Sequence, residues 1–486
     1  MNNILLLCII FLSLVFARRD CLQQAELDPL GRSSRPEKET FAISDSGHFY
    51  IHYDTTGNAI PDLTDNNENG IPDYIEEVGM IADSARHVLV NMMGFSAPPF
   101  DADSIYDIII MSYQTGVYGF NYPDSPSQGV EGATSYLLID NDYLGYNSKF
   151  GLAPIEIMRI SMAHEYFHGI QWGYEENLTS NNIDNKYFYE MTSMWFEDIL
   201  IPDGNDYLDT WADDLLENPT ADFDNRGGGY ELALFGHYLS SFIDEKGIDD
   251  GTKSTILREI WERFRDFNSS AYTSVKYILE NNYNWDFSEA WIDFISRNLY
   301  NGMYEDMDNP FYYYIDQALI SPIQTDAPQI LDDNISLSLS LDYKSASILS
   351  YKIDELASNI DFFHSDDIYV GRMAILSDNP TMNDLFLILV PTTVDVNPED
   401  EVHLFYGTAN SSTDIDIDIK IYCKDVNGNI TYVDACGVCG GDNSSCMLPS
   451  FSLKDLNPQS PTHDTNISPK DYLGKAVLYY FPYSST

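Results

Sequence analysis

An α+β domain followed by an all-β sandwich and a small cysteine-rich module is the fold class that this sequence predicts. Three observations carry that reading. Segments with helical spacing of apolar residues crowd between residues 154 and 299, after several strand-like runs. Beyond about residue 320, ISLSLSLDY, SASILSYKI, DLFLILVPTT, EVHLFYGTA and DIDIDIKIYC alternate with period two between Asn, Asp and Pro turns. Four cysteines then gather in CKDVNGNITYVDACGVCGGDNSSC, with C-x12-C-x2-C-x6-C spacing.

The elements follow in chain order. ILLLCIIFLSLVFA (4–17) is apolar, uncharged and short for a membrane span, so residues 1–17 read as a secretory signal peptide. No later run is long and apolar enough to cross a bilayer, which predicts an exported protein, released or held at the cell surface. Residues 18–46 read as a polar lead-in. The first folded domain is expected over 47–312, with strands at HFYIHYD, SIYDIIIMSY and TSYLLIDNDY. Helices are expected at 154–172, 186–200, 230–246, 253–266 and 286–299. The sandwich should occupy 325–422, the cysteine module 423–446 and a short tail 447–486. Cys21 has no assignable partner. With 486 residues, 44% of them hydrophobic, the chain can bury substantial cores. A net charge of −52 repels nucleic acid and excludes that class of partner.

The chemistry concentrates in HEYFHGIQWGYE (164–175). His164 and His168, four apart, share one helix face and can reach one zinc ion, with Glu165 beside them as a candidate general base. Two histidines need a third ligand, and KYFYEMTSMWFED (186–198) offers Glu190 and Glu197. These are seven apart and share a face, so one can ligate while the other supports a histidine. HEYFH followed by EMTSMWFE resembles the gluzincin metallopeptidases, meaning thermolysin and the zinc aminopeptidases, and residues 47–310 are similar to a bacterial group of secreted gluzincins.

That resemblance implies a zincin-like catalytic domain that hydrolyses peptide or protein substrates. It implies His164, His168 and Glu190 as zinc ligands and Glu165 as the base. Met194 stands where thermolysin carries a supporting aspartate, which passes that role to Glu197. The family also uses a Tyr or His from a later helix to stabilise the tetrahedral intermediate, and GGGYELALFGHYL (227–239) offers Tyr230 and His237. A strand before the active helix, 134–140, is expected to hold an extended peptide. The competing expectation is a catalytically silent surface or adhesion protein on the same scaffold.

DNNENGIPDYIE (65–76) fits the D-x-[DN]-x-[DN]-G-x5-E calcium loop. Asp65, Asn67, Asn69, the Ile71 carbonyl, Asp73 and Glu76 fall at its ligand positions, and Gly70 at its sharp turn. It resembles the structural calcium loops of dockerins and thrombospondin repeats. The spacing of the four cysteines leaves zinc binding, redox activity and disulfides open. DACGVCGGDNSSC, however, resembles the cysteine-rich region of secreted metalloproteases with thrombospondin repeats. That likeness implies two disulfides among Cys423, Cys436, Cys439 and Cys446. The tail, ending in GKAVLYYFPYSST, resembles the opening of a peroxiredoxin or thioredoxin-like domain.

Overall fold

A computed structural model describes residues 35–100, 103–113, 117–124, 133–146, 148, 150–174, 185–208, 210–226, 228–267, 269–304, 316–354, 357–364, 369–377, 385–388, 392–408, 411–425, 427–432, 438–441 and 452–468. The expected signal peptide, Cys21, Cys436, Cys446 and the GKAVLYYF segment lie outside these residues.

The first domain is built on a five-stranded sheet. Its strands are β1 (Thr40–Ile43), β2 (Phe49–Tyr53), β3 (Tyr106–Met111), β4 (Gly119–Pro123) and β5 (Ser135–Asp140), in the order β1-β2-β3-β5-β4. β2, β3 and β5 are parallel, and β1 and β4 run antiparallel at the two edges. The central strands YDIIIM and SYLLID are buried on both faces, which is why they read as continuous apolar runs rather than alternating ones.

Two expectations need correction here. The lead-in 18–46 is not wholly irregular: TFAI forms β1, pairing Thr40 with Tyr53 and Ile43 with Tyr50, because its short alternation fits the otherwise open edge of β2. The segment 134–140 is not available to an added peptide strand, since β5 pairs with β3 on one side and β4 on the other. The edge beside it is β4.

Helix α1 (Asp73–Arg86) follows β2, and α2 (Pro154–Trp172) follows β5. α2 starts where Pro154 fixes the first turn and Glu156 Oε2 accepts the Ala153 N–H at 2.7 Å. Between Ile157 and Trp172 every side chain except Arg159 is buried, so this is a central helix with no solvent face. Arg159 reaches Glu77 of α1 at 2.6 Å. α3 (Lys186–Leu200) packs across α2. Then come α4 (Thr210–Glu217), α5 (Ala233–His237, continuing in wider turns to Ile243), α6 (Ile256–Phe267), α7 (Ala271–Ile278) and α8 (Phe287–Arg297).

The second half is two facing sheets. Strands β6 to β15 are Gln329–Leu331, Ile335–Leu341, Ser347–Ile353, Asn359–His364, Tyr369–Leu376, Leu385–Ile388, Thr392–Asp395, Glu401–Thr408, Thr413–Lys424 and Ile430–Tyr432. One sheet runs β11-β10-β13-β8-β6. The other runs β12-β9-β14-β15, with β7 also on β14. Tyr351, Met373, Val402 and Leu404 of the first share one core with Leu341, Ile360, Phe362, Ile417 and Ile419 of the second. β14 shows the pattern most cleanly: Ile415, Ile417, Ile419 and Ile421 point in, and Asp414, Asp416 and Asp418 point out.

Cys423 is bonded to Cys439, with an S–S distance of 2.05 Å. The cysteine segment is not detached from the sandwich as its own module: Cys423 lies within β14, and Ile430–Tyr432 extends the same sheet.

The two halves share a core. α8 lies on β10 and β13, and Ala346, Ala374 and Phe405 of the sandwich pack into the same cluster as Trp291 and Phe294. The wholly buried Asp293 accepts from Arg297 Nε at 2.6 Å and from Tyr238 OH at 2.8 Å, and meets Arg372 Nη2 of β10 at 2.9 Å. Among the described residues, no helix is long and apolar enough to cross a membrane.

Candidate metal centre

His164 and His168 stand one turn apart on α2, and the opening half of α3 brings Glu190 opposite them. His164 Nε2 lies 3.0 Å from His168 Nε2, and the Glu190 Oε2 atom lies 3.3 Å from the first and 3.5 Å from the second. Ligands held at roughly 2.0–2.1 Å around a tetrahedral ion stand about 3.3 Å apart, so these three atoms have the spacing of one face of a zinc site. Among the described residues they are the one group of three or more His, Cys, Asp or Glu whose donor atoms converge. All three side chains are buried, so the donor set is dry as well as convergent. Burial works against ionising Glu190, but His168 and His164, when protonated, outweigh it and hold its carboxyl far below the usual range.

Both imidazoles are oriented from behind. Glu197 Oε1 lies 2.6 Å from His164 Nδ1, one helical face along α3 from Glu190. His168 Nδ1 has Gln171 Oε1 at 2.8 Å and Ser193 Oγ at 3.2 Å. Gln171 is itself fixed, donating to the Tyr189 carbonyl at 2.9 Å and to Thr192 Oγ1 and Ser193 Oγ at 3.1 Å. An acceptor at each Nδ1 puts the ring proton there and turns the Nε2 lone pair toward the shared point. The sequence offered a sign of Gln171, since it lies three residues beyond His168 on the same face. Should the centre take up zinc, Gln171→Ala is expected to weaken its binding by about 10–100-fold, measured by chelator competition. Unchanged affinity would remove Gln171 from the centre.

Glu165 is wholly buried beside the edge strand β4. A Cβ on Gly119 would lie 2.8 Å from Glu165 Cγ and 2.9 Å from the Leu138 carbonyl, so only glycine fits there. Asn121 Nδ2 donates to the Glu165 carbonyl at 2.8 Å and to Tyr106 OH at 2.9 Å, fastening β4 to α2.

Tyr230 lies with its ring parallel to that of His164, at a centroid distance of 6.3 Å and an angle of 9°. Gly229 allows this placement at φ +92°, where a Cβ would sit 2.0 Å from the Tyr187 carbonyl oxygen. His237 has Nε2 3.4 Å from Asp198 Oδ2, one residue beyond Glu197, and its ring lies 5.0 Å from that of Tyr207.

Burial pushes the His237 imidazole down to about 3, and burial together with the charges of Asp316, Glu197 and Asp203 raises Asp198 well above its usual range. Unfolded histidine takes up its proton near pH 6.5, which the folded chain refuses until about pH 3. Acidification through that window therefore costs stability, by at most about 1.4 kcal/mol per pH unit from this group. Thermal unfolding between pH 7 and pH 4 should show a slope that His237→Gln flattens. An unchanged slope would assign the effect to other groups.

In the Asp65–Glu76 loop, Gly70 turns at φ +90° and its N–H meets Asp65 Oδ2 at 2.8 Å. Asn67 and Asn69 donate to the two Glu76 oxygens at 2.9 and 2.6 Å, and the Ile71 N–H donates to Asn69 Oδ1. Asp73 accepts from the Asn66 N–H at 3.1 Å and opens α1. Asn67 and Asn69 thus meet on Glu76, while Asp65 and Asp73 accept from backbone N–H groups of the loop.

The fold and site together define a mixed α and β protein with a buried His–His–Glu centre and an attached two-sheet region. No protein-family model matches the chain, and no curated protein matches it. Among solved structures, the periplasmic inhibitor of g-type lysozyme PliG from Salmonella Typhimurium aligns with 7% identity and a TM-score of 0.16, over 20% of this chain and 99% of its own. Tripeptidyl peptidase 2 aligns with 10% identity and a TM-score of 0.17, over 20% of this chain and 11% of its own. IMPa from Pseudomonas aeruginosa, solved with an O-glycopeptide, aligns with 11% identity and a TM-score of 0.15, over 27% and 19%. Likenesses this slight carry no conclusion about fold or function.

Proposed function

We propose that this chain is an exported zinc metallopeptidase of gluzincin type, hydrolysing peptide bonds in peptide or protein substrates. The observation that carries the reading is the buried triangle of His164 Nε2, His168 Nε2 and Glu190 Oε2, with an acceptor behind each imidazole. Those three side chains would hold zinc, which supplies Lewis acidity to polarise a substrate carbonyl and to ease deprotonation of water. Glu165, one residue from His164, takes the proton from the attacking water and returns it to the leaving amine. Glu197, Gln171 and Ser193 keep the imidazoles in one tautomer and one orientation. Tyr230, whose ring lies parallel to that of His164, is the candidate for stabilising the developing oxyanion, to which its hydroxyl would donate.

Calcium in the Asp65–Glu76 loop would replace the asparagine donors now on Glu76 and stiffen the start of α1. The Cys423–Cys439 bond suits an oxidising compartment, inside the envelope or at the cell surface.

The test is zinc content by elemental analysis together with hydrolysis of casein by the mature chain, before and after removal of the metal with a chelator. One zinc per chain and activity lost and regained with it would support the reading. One specific observation favours the silent-scaffold alternative: Glu165 and Tyr230 are both almost fully buried. Bound zinc without hydrolysis would decide for that alternative.

A further inference from the structure

Between β5 and α2 the chain turns through Asn141–Tyr146, and Tyr143 is held there at φ +49°. A bulky aromatic residue keeps left-handed backbone only where its surroundings over-determine it. Several ties do so. The Tyr143 N–H donates to Asp140 Oδ2 at 3.1 Å, and Asp140 Oδ1 accepts the Tyr113 N–H at 2.8 Å. Tyr74 OH donates to the Asp140 carbonyl at 2.6 Å, and Asn141 Nδ2 to the Ile60 carbonyl at 2.7 Å.

The loop then reaches across to the start of β4. Tyr143 OH donates to the Tyr118 carbonyl at 2.6 Å, and Tyr146 OH donates to the Val117 carbonyl. The Tyr146 ring packs against those of Tyr143 and Tyr118 at 5.3 and 5.2 Å. The next residue is Gly119, where a Cβ would collide with the Glu165 side chain, and two further on is Asn121, hydrogen-bonded to the Glu165 carbonyl. β4 is therefore held beside Glu165 by Asn121 at its middle and by two tyrosine hydroxyls on the residues just before it.

We propose that Tyr143 and Tyr146 are positioning residues for Glu165. Their hydroxyls pin Val117 and Tyr118, which holds Gly119 against the Glu165 methylenes and limits where its carboxylate can stand. The proposal rests on the reading of Glu165 as the general base. Two features speak for placement over simple packing. Phenylalanine would fill the same space, yet both positions carry hydroxyls that end on successive carbonyls of a sheet edge, groups that water could otherwise satisfy. Tyr74, in the first turn of α1 and inside the Asp65–Glu76 loop, ties the same strap to that loop, so a change there reaches Glu165 through Asp140.

The test uses the full zinc-loaded chain and its Tyr143→Phe, Tyr146→Phe and Tyr74→Phe variants. Hydrogen exchange of residues 117–123 and 161–168 is measured beside kcat, KM, the pH profile and zinc content. In the first two variants, exchange over 117–123 should quicken by about tenfold. There kcat should fall by about tenfold, with KM nearly unchanged and the acidic limb of kcat/KM displaced. Zinc content should stay the same, and Tyr74→Phe should act more weakly in the same direction. Unchanged exchange would overturn the proposal. So would faster exchange with unaltered kcat and pH profile. Should Tyr143→Phe fail to fold, the half-buried Tyr146 carries the test. A parent chain that binds zinc but hydrolyses nothing would defeat the metallopeptidase reading, and the exchange results alone would then decide the strap.

Discussion

Glu165→Gln is expected to lower kcat by about 10²–10⁴-fold, the usual contribution of a positioned general base, while zinc content and melting temperature stay near those of the parent. Glutamine keeps the shape that fits against Gly119 but cannot accept a proton from water. The comparison therefore separates base chemistry from packing. Casein hydrolysis and elemental analysis on the same samples read both quantities. Residual activity within a few-fold of the parent would remove Glu165 from its assigned role, whatever the metal content. Loss of zinc together with activity would instead make the side chain a structural support of the centre.

The second large effect concerns stability. Asp293→Ala should destabilise the folded chain by about 3–5 kcal/mol, because it leaves Arg297 and Arg372 buried beside an uncompensated gap. Urea unfolding of the variant measures the loss. Arg372→Ala alone should cost less, since Arg297 and Tyr238 still serve the carboxylate. A double-mutant cycle of Asp293 and Arg372 should return a coupling of about 1–3 kcal/mol. Additive single effects would mean that the two halves of the molecule meet without this pair contributing.

The parts of the fold that show in the sequence are those whose surroundings differ from one side to the other. β14 alternates isoleucine with aspartate because one face meets the opposite sheet and one meets water. α2 is legible for another reason, since its two histidines sit four apart, a spacing that puts both on one face of a helix. What stays hidden depends on partners distant in the chain. GFNYP has a glycine, a proline and no clean alternation, so β4 reads as a loop, yet its glycine is dictated by Glu165 nearly fifty residues later. β5 looks like the more persuasive strand because it is buried between two neighbours, and the same burial bars it from holding a peptide. Gln171 escapes notice because an amide is not a zinc ligand. Its meaning comes from the Nδ1 atom in front of it and the α3 groups behind it. His237 lies on the helix that follows Tyr230, but its neighbours come from far along the chain: Asp198 is one place beyond Glu197, and Tyr207 sits in a stretch with no motif.

The placement of α8 has a practical side. Its inner face meets Trp291's aromatic neighbours, and its outer face meets β10 and β13, so it behaves as a keystone wedged between two arches. A fragment stopped near residue 312 would carry that keystone with one arch missing, leaving Asp293 without Arg372 and a greasy flank open to self-association. Anyone dissecting this chain by truncation or by exchanging its halves with those of another protein would be cutting through masonry, not along a mortar joint. Proteolytic trimming of the folded protein should accordingly spare the join and release no stable N-terminal half.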